Sequence, residues 1–149
     1  MTLRQTKRNG VEGQSSFTME DVLVEQCVYG VLASSTGVVG RCTNVEVRQC
    51  GYSGVRARSG ASVTLIGAKT TVHHNSTKGD NDEYGLTVSG SSSTIQLISP
   101  LIKEQVSLDN GGGGNWGAGF RGDINLIKTI DAPAVPSRAL SKLKLKTNK

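Results

Sequence analysis

An all-β solenoid, a chain wound into short coils whose strands stack in parallel, is the fold class this sequence predicts, and three observations predict it. The first is composition. Of 149 residues 19 are glycine, 4% are aromatic and 19% are charged; glycine with abundant Ser, Thr and Val disfavours helices and favours short strands joined by tight turns. The second is a repeat. Val22 to Ala33 and Val45 to Ala57 share one frame, in which Val24 recurs as Val47, Cys27 as Cys50 and, after a single inserted residue, Gly30 as Gly54. The third is alternation within the repeat. From Gly54 to Val72 apolar and polar residues alternate in pieces of three to five, each closed by Gly or a Gly-Ser pair. Period-two alternation means a strand with one face buried, and breaks this frequent suit about three short strands per coil better than hairpins.

Taken in order, a third pass of the frame fits Thr70, Val72 and Asn75, with Val72 following Val47 at nearly the same interval, then Gly85-Leu86-Thr87-Val88 after an inserted loop. A fourth pass is expected at Ile95 and Leu97, where Leu97 follows Val72 at the interval that separates Val72 from Val47, before the pattern loosens at Pro100. Stacked coils would place Cys27, Cys50 and Asn75 in one ladder at roughly the 4.8 Å spacing of paired strands. There an inward Asn hydrogen bonds turn amides. Gly30, Gly54 and Gly85 are expected at a corner of positive φ. The three cysteines, Cys27, Cys42 and Cys50, are odd in number and form no Cys-x-x-Cys pair, so a zinc site is not expected. They read as small buried hydrophobes, with one disulfide as the alternative in an exported chain.

In the short strand, the corner glycine, Gly54-Val55-Arg56-Ala57 and then Ala61-Ser62-Val63-Thr64-Leu65, residues 17 to 108 resemble the repeats of the pectin-lyase-like superfamily. That group includes polysaccharide lyases, hydrolases, mannuronan epimerases and phage tailspikes. The resemblance implies a right-handed parallel β-helix, the hand that parallel crossovers take, of about four to five coils with an irregular C-terminal cap. Residues 1–16 are expected as a basic lead or N-terminal cap, 17–108 as coils, 109–130 as a Gly-rich cap and 131–149 as a basic tail. So few coils make the chain shorter than the family's enzymes and favour a noncatalytic module. Such a module would contact polysaccharide or a protein partner through a flat solenoid face. The alternative is a polysaccharide-active enzyme, a lyase or epimerase, or a fragment of one.

The net charge is +5 and the pI about 9.3. Arg4, Lys7 and Arg8 open the chain, Arg138, Lys142, Lys144, Lys146 and Lys149 close it, and no aromatics interleave with them as base stacking requires. The expectation is solvated basic ends that attract polyanions nonspecifically, with Leu143 to Lys146 alternating as a basic strand or disordered tail. No stretch reaches the roughly 18 to 20 apolar residues that span a bilayer, and the basic N-terminus lacks the apolar run of a secretory signal. A soluble chain with no membrane partner is expected, its compartment undetermined. Open coil ends would also permit end-to-end or side-by-side self-association.

Candidate chemistry is sparse. The resemblance implies calcium held by carboxylates beside a basic residue. The nearest local match is the inserted loop, with Asp80, Asp82 and Glu83 as hard oxygen ligands and Arg56 or Arg58 as the base, although EF-hand spacing is missing. No other cofactor is expected. Asp21, Asp109, Asp123 and Asp131 are scattered over different periods. Alternation sends His73 outward and His74 inward, which separates the two rings. Asn75-Ser76-Thr77 is a glycosylation sequon only in a secreted context, and Arg121-Gly122-Asp123 is a short adhesion-type tripeptide. The stretch Asp109 to Gly117 holds a run of four glycines and the single tryptophan. It is no phosphate loop, because the following Lys-Ser/Thr is absent. Trp116 and Phe120 either cover the open end of the last coil, or Trp116, with Asn115 and Tyr84, stacks against sugar.

Overall fold

The computed structural model describes residues 1–132; the expectations for the tail from Pro133 onward lie outside them. Among the described residues fifteen strands wind into five coils of a right-handed parallel β-helix, three strands to a coil. One sheet, A, stacks β1 (Thr2–Arg4), β4 (Leu23–Glu25), β7 (Glu46–Arg48), β10 (Thr71–His73) and β13 (Ser107–Leu108) in that order. Sheet B stacks β2 (Val11–Gly13), β5 (Val31–Ser34), β8 (Val55–Arg58), β11 (Tyr84–Ser89) and β14 (Gly114–Ala118). Sheet C stacks β3 (Phe17–Glu20), β6 (Val39–Thr43), β9 (Ser62–Ile66), β12 (Thr94–Ile98) and β15 (Ile127–Ile130). A single helical turn, α1 (Lys103–Val106), precedes β13.

Every neighbouring pair is parallel, so equivalent residues stack into ladders. Leu3, Val24, Val47, Val72 and Ser107 form one inward ladder. A second runs through Val11, Val31, Val55, Leu86 and Trp116. Sheet C contributes Val63, Ile95 and Ile127, flanked by Cys42, Leu65 and Leu97. Most of these side chains are wholly buried, and each fully buried Val, Leu or Ile stabilises the coil by about 1.5–3 kcal/mol. The pairing of Val55 with Leu86 puts Gly54 beside Gly85, the register expected across the inserted loop.

The fourth pass lies elsewhere than expected. Ile95 and Leu97 belong to sheet C, opposite Val63 and Leu65, and the partner of Val72 is Ser107. The fourth coil carries both the loop between β10 and β11 and the helical turn between β12 and β13, so a constant spacing joined residues of different sheets. Residues 1–16 carry β1 and β2 and belong to the first coil, while β14 and β15, within 109–130, complete the fifth.

Two local expectations are corrected. Gly30, Gly54 and Gly85 do not take positive φ; they are required by close approach between coils. A Cβ on Gly54 would lie 2.6 Å from Val72 Cγ1 and 2.7 Å from Asn75 Nδ2. Around sheet A the left-handed corners are made largely by polar residues. Gln26, Gln49, His74 and Asp109, each with φ between 53° and 57°, turn the chain out of sheet A, while Asp21 and Asn44 turn it into that sheet. Side chains with local hydrogen-bonding capacity tolerate this region best. Asn44 also ties its corner to the next coil, its Oδ1 accepting the Lys69 amide at 3.2 Å.

The Asn ladder is present and longer than expected. Asn75 Oδ1 accepts the Cys50 amide at 3.1 Å and its Nδ2 donates to the Val47 carbonyl at 3.0 Å. Asn110, one coil on, accepts the Asn75 amide at 2.9 Å and donates to the Val72 carbonyl at 3.2 Å. The sequon is therefore closed, since Asn75 is buried and its side-chain amide is engaged at both atoms. Cys27, Cys42 and Cys50 are free and buried. Desolvation pushes the thiols of Cys42 and Cys50 up to about 12.

Candidate functional site

The outward row of sheet B runs Glu12, Leu32, Arg56, Thr87 and Gly117. It would be exposed in an unbroken solenoid. Here the insertion between β10 and β11 folds back over it and lowers Glu83 onto Arg56. Glu83 Oε2 accepts from Arg56 Nη1 at 2.6 Å and from the Tyr29 hydroxyl at 3.3 Å. Its Oε1 accepts from Ser53 Oγ at 2.5 Å, and Ser53 in turn meets Thr87 Oγ1 at 2.7 Å. The Glu83 side chain is 9% exposed and that of Arg56 16%, so both charges are largely removed from water and each depends on the other. Tyr29 leans on Tyr52 with ring centres 5.3 Å apart, and the Arg56 guanidinium lies 5.6 Å from the Tyr29 ring centre. Burial, and next the Glu83 charge, push the Tyr29 phenol up, which keeps it a hydrogen-bond donor.

Beside this pair lies a cleft of about 460 Å³, lined by Arg56, Asp80, Asp82, Glu83 and the end of β14 with Gly119 and Phe120. Four of the five charged residues singled out in the sequence thus meet on one outer face. The fifth, Arg58, sits apart, its Nε donating to Ser34 Oγ at 3.3 Å. Asp80 and Asp82 remain in solvent, Asp80 Oδ1 accepting the Asp82 amide at 3.0 Å in an Asx turn. The carboxylates do not close around a common point. Glu83 faces Arg56, and among the described residues no three His, Cys, Asp or Glu side chains gather as a metal centre.

Trp116, Asn115 and Tyr84 are near in sequence register but not on one face. Trp116 pairs with Leu86 and packs half-buried against the core, with Lys103 Nζ 5.4 Å from its ring centre. Asn115 Oδ1 accepts from the Asn110 amide at 3.0 Å and from Asn110 Nδ2 at 3.2 Å, ending the Asn ladder. Tyr84 lies against Gly113 and Gly117, where any Cβ would strike its ring. Phe120, by contrast, is 83% exposed on the cleft. It does not cover the coil end, and no periodicity marked it because it follows the last inward residue of β14. Asp123 of the tripeptide caps a short turn, accepting the Asn125 amide at 2.9 Å.

On sheet A a different pattern appears. Glu25 bridges two coils, accepting from Arg4 Nη2 at 2.6 Å and from Arg48 Nη2 at 3.1 Å. Arg4 first, and Arg48 next, hold its carboxyl below the usual carboxylate range. His74 does not point inward. It takes φ of 57°, which breaks the alternation at the corner and brings its ring beside that of His73, centroids 4.9 Å apart. A second depression, at the first coil, is lined by Gln5, Lys7, Arg8, Asn9 and Glu12 and has no aromatic side chain. Among the described residues no helix is long and apolar enough to cross a membrane. Comparison with protein-family models, curated proteins and solved structures finds no match for this chain.

Proposed function

We propose that the protein is a noncatalytic β-helix binding module that takes a neutral polysaccharide in the cleft between the inserted loop and the end of β14. The observation that carries this reading is the pairing of an exposed aromatic, Phe120, with two solvated carboxylates, Asp80 and Asp82, across one cleft. An apolar ring covers the CH face of a sugar, and carboxylates accept from its hydroxyls at the edge. The charge of Glu83 is met by Arg56, and the Arg121 guanidinium lies 5.3 Å from the Phe120 ring centre, so Asp80 and Asp82 leave the cleft only a small negative excess, which disfavours an acidic polymer there. The kinship suggested by the repeats with pectin-lyase-like proteins is consistent with a saccharide ligand.

Catalysis is disfavoured by the state of the one buried acid of the cleft. A general acid or base must reach the proton it moves, and both oxygens of Glu83 are already engaged by Arg56, Ser53 and Tyr29. The test is calorimetric titration of the full chain with soluble neutral and acidic polysaccharides, with and without calcium, while the absorbance of unsaturated lyase products is followed. Neutral glycan binding weakened at least tenfold in Phe120→Ala, and unaffected by calcium, is the expected result. Binding unchanged in Phe120→Ala and in Asp80→Asn/Asp82→Asn removes the cleft from the account. Product absorbance overturns the noncatalytic reading and directs attention to Arg56 and Glu83.

A further inference from the structure

The paired histidines on the outer face of sheet A belong to neither the core nor the cleft. His73 sits on the outward row at the end of β10, and its Nε2 lies 2.7 Å from Glu46 Oε2 on the coil below. An ionised carboxylate only accepts, so this contact places the ring proton on Nε2 and leaves Nδ1 of a neutral ring with its lone pair free. The same Oε2 is also contacted by Arg48 Nη1 at 3.4 Å. The left-handed turn at His74 then brings a second Nδ1 to 2.7 Å from the first. With the His73 proton placed on Nε2, a hydrogen bond between the two Nδ1 atoms requires His74 Nδ1 as its donor.

We propose that His73 and His74 chelate one divalent transition-metal cation through their Nδ1 atoms, with Cu(II) or Ni(II) as the fitting class. The cation takes the lone pair of His73 Nδ1 directly; His74 binds as its other neutral tautomer, its proton passing through water from Nδ1 to Nε2, so both rings stay neutral, no net proton is released and no electron is transferred. Geometry selects the metal. With metal–nitrogen bonds of about 2.0–2.1 Å, donors 2.7 Å apart subtend roughly 80–85° at the ion, near the right angle of tetragonal sites and well short of tetrahedral zinc. Glu46 is a positioning residue. A carboxylate on the far ring nitrogen fixes the tautomer and orientation of a ligating imidazole, an arrangement whose loss costs metal affinity about 10- to 100-fold. Both rings reach solvent, so water supplies the remaining positions.

The experiment titrates the full chain with Cu(II) and separately with Ni(II), reading stoichiometry by calorimetry and the nitrogen hyperfine pattern of Cu(II) by electron paramagnetic resonance. One equivalent bound through two imidazole nitrogens is expected. His73→Ala and His74→Ala each lose affinity at least tenfold and show at most one imidazole, and Glu46→Gln weakens binding about tenfold while altering the copper spectrum, with circular dichroism of the three variants unchanged. Failure of the parent chain to bind either ion at millimolar concentration overturns the proposal. So does binding by both alanine variants as tight as the parent's, which would put the metal elsewhere on the chain.

Discussion

The first three coils and the last two have the same interior and different exteriors. In the former, Leu3, Val24 and Val47 follow one another at a near-constant interval that Val72 continues into the fourth, and the outer face of sheet A carries the simple ladder Arg4, Glu25, Arg48. In the latter, coils lengthen until Val72 meets Ser107, yet Val63, Ile95 and Ile127 still stack in register. The extra residues leave the core untouched, and the longest of them fold onto sheet B. Two buried glutamates embody the contrast. Glu25 is clamped between arginines of neighbouring coils, and Glu83 is delivered by an insertion to Arg56 of the coil below. A solenoid keeps its inward ladders because each coil packs only on its neighbours, and gains a site wherever an insertion lands on an outer row.

The largest expected effect breaks the inserted side. Arg56→Ala leaves Glu83 buried without its charge partner, and a loss of about 3–5 kcal/mol in urea unfolding is expected; a loss under about 1 kcal/mol, the scale of an exposed pair, would show that the loop lifts and solvates Glu83. Next is the shared interior. Leu65→Ala and Leu97→Ala should each cost about 2–5 kcal/mol, and because the two residues are direct partners across β9 and β12 the double variant should depart from additivity. Gly54→Ala forces a Cβ against Val72 and Asn75 and should cost about 1–3 kcal/mol, whereas Gly51→Ala meets only the flexible end of Lys78 and should be milder.

Smaller again is the regular ladder. Arg4 and Arg48 are 56% and 35% exposed, so Glu25→Gln should destabilise less than Arg56→Ala and its effect should shrink with added salt. The sign with pH is fixed by the lowered carboxyl: its contribution is complete above the ordinary carboxylate range and is lost as pH falls through the depressed folded value. Glu25→Gln should flatten that acid limb. The raised thiols of Cys42 and Cys50 act at the other end. Their contribution is complete below the ordinary thiol value of 9.0 and fades as pH rises toward about 12. A disulfide-exchange reagent should accordingly label them at the rate of global opening, not on mixing.

The sequence alone determined the coil, its inward ladder from Val24 through Val47 to Val72, the Asn ladder's start at Asn75 and the burial of the cysteines. These follow from backbone alternation and from a repeat that is local in the chain. The convergence of Arg56 with Asp80, Asp82 and Glu83 was visible as a list of residues, but not as a contact. Only the tertiary structure decided that Ile95 lies opposite Val63, that Gly54 yields space to Val72, that Glu83 turns away from Asp80 toward Arg56, and that His74 swings beside His73. Each of these depends on where an insertion lands or how a corner turns, and one residue of left-handed backbone redirects a side chain that strict alternation would have sent into the core.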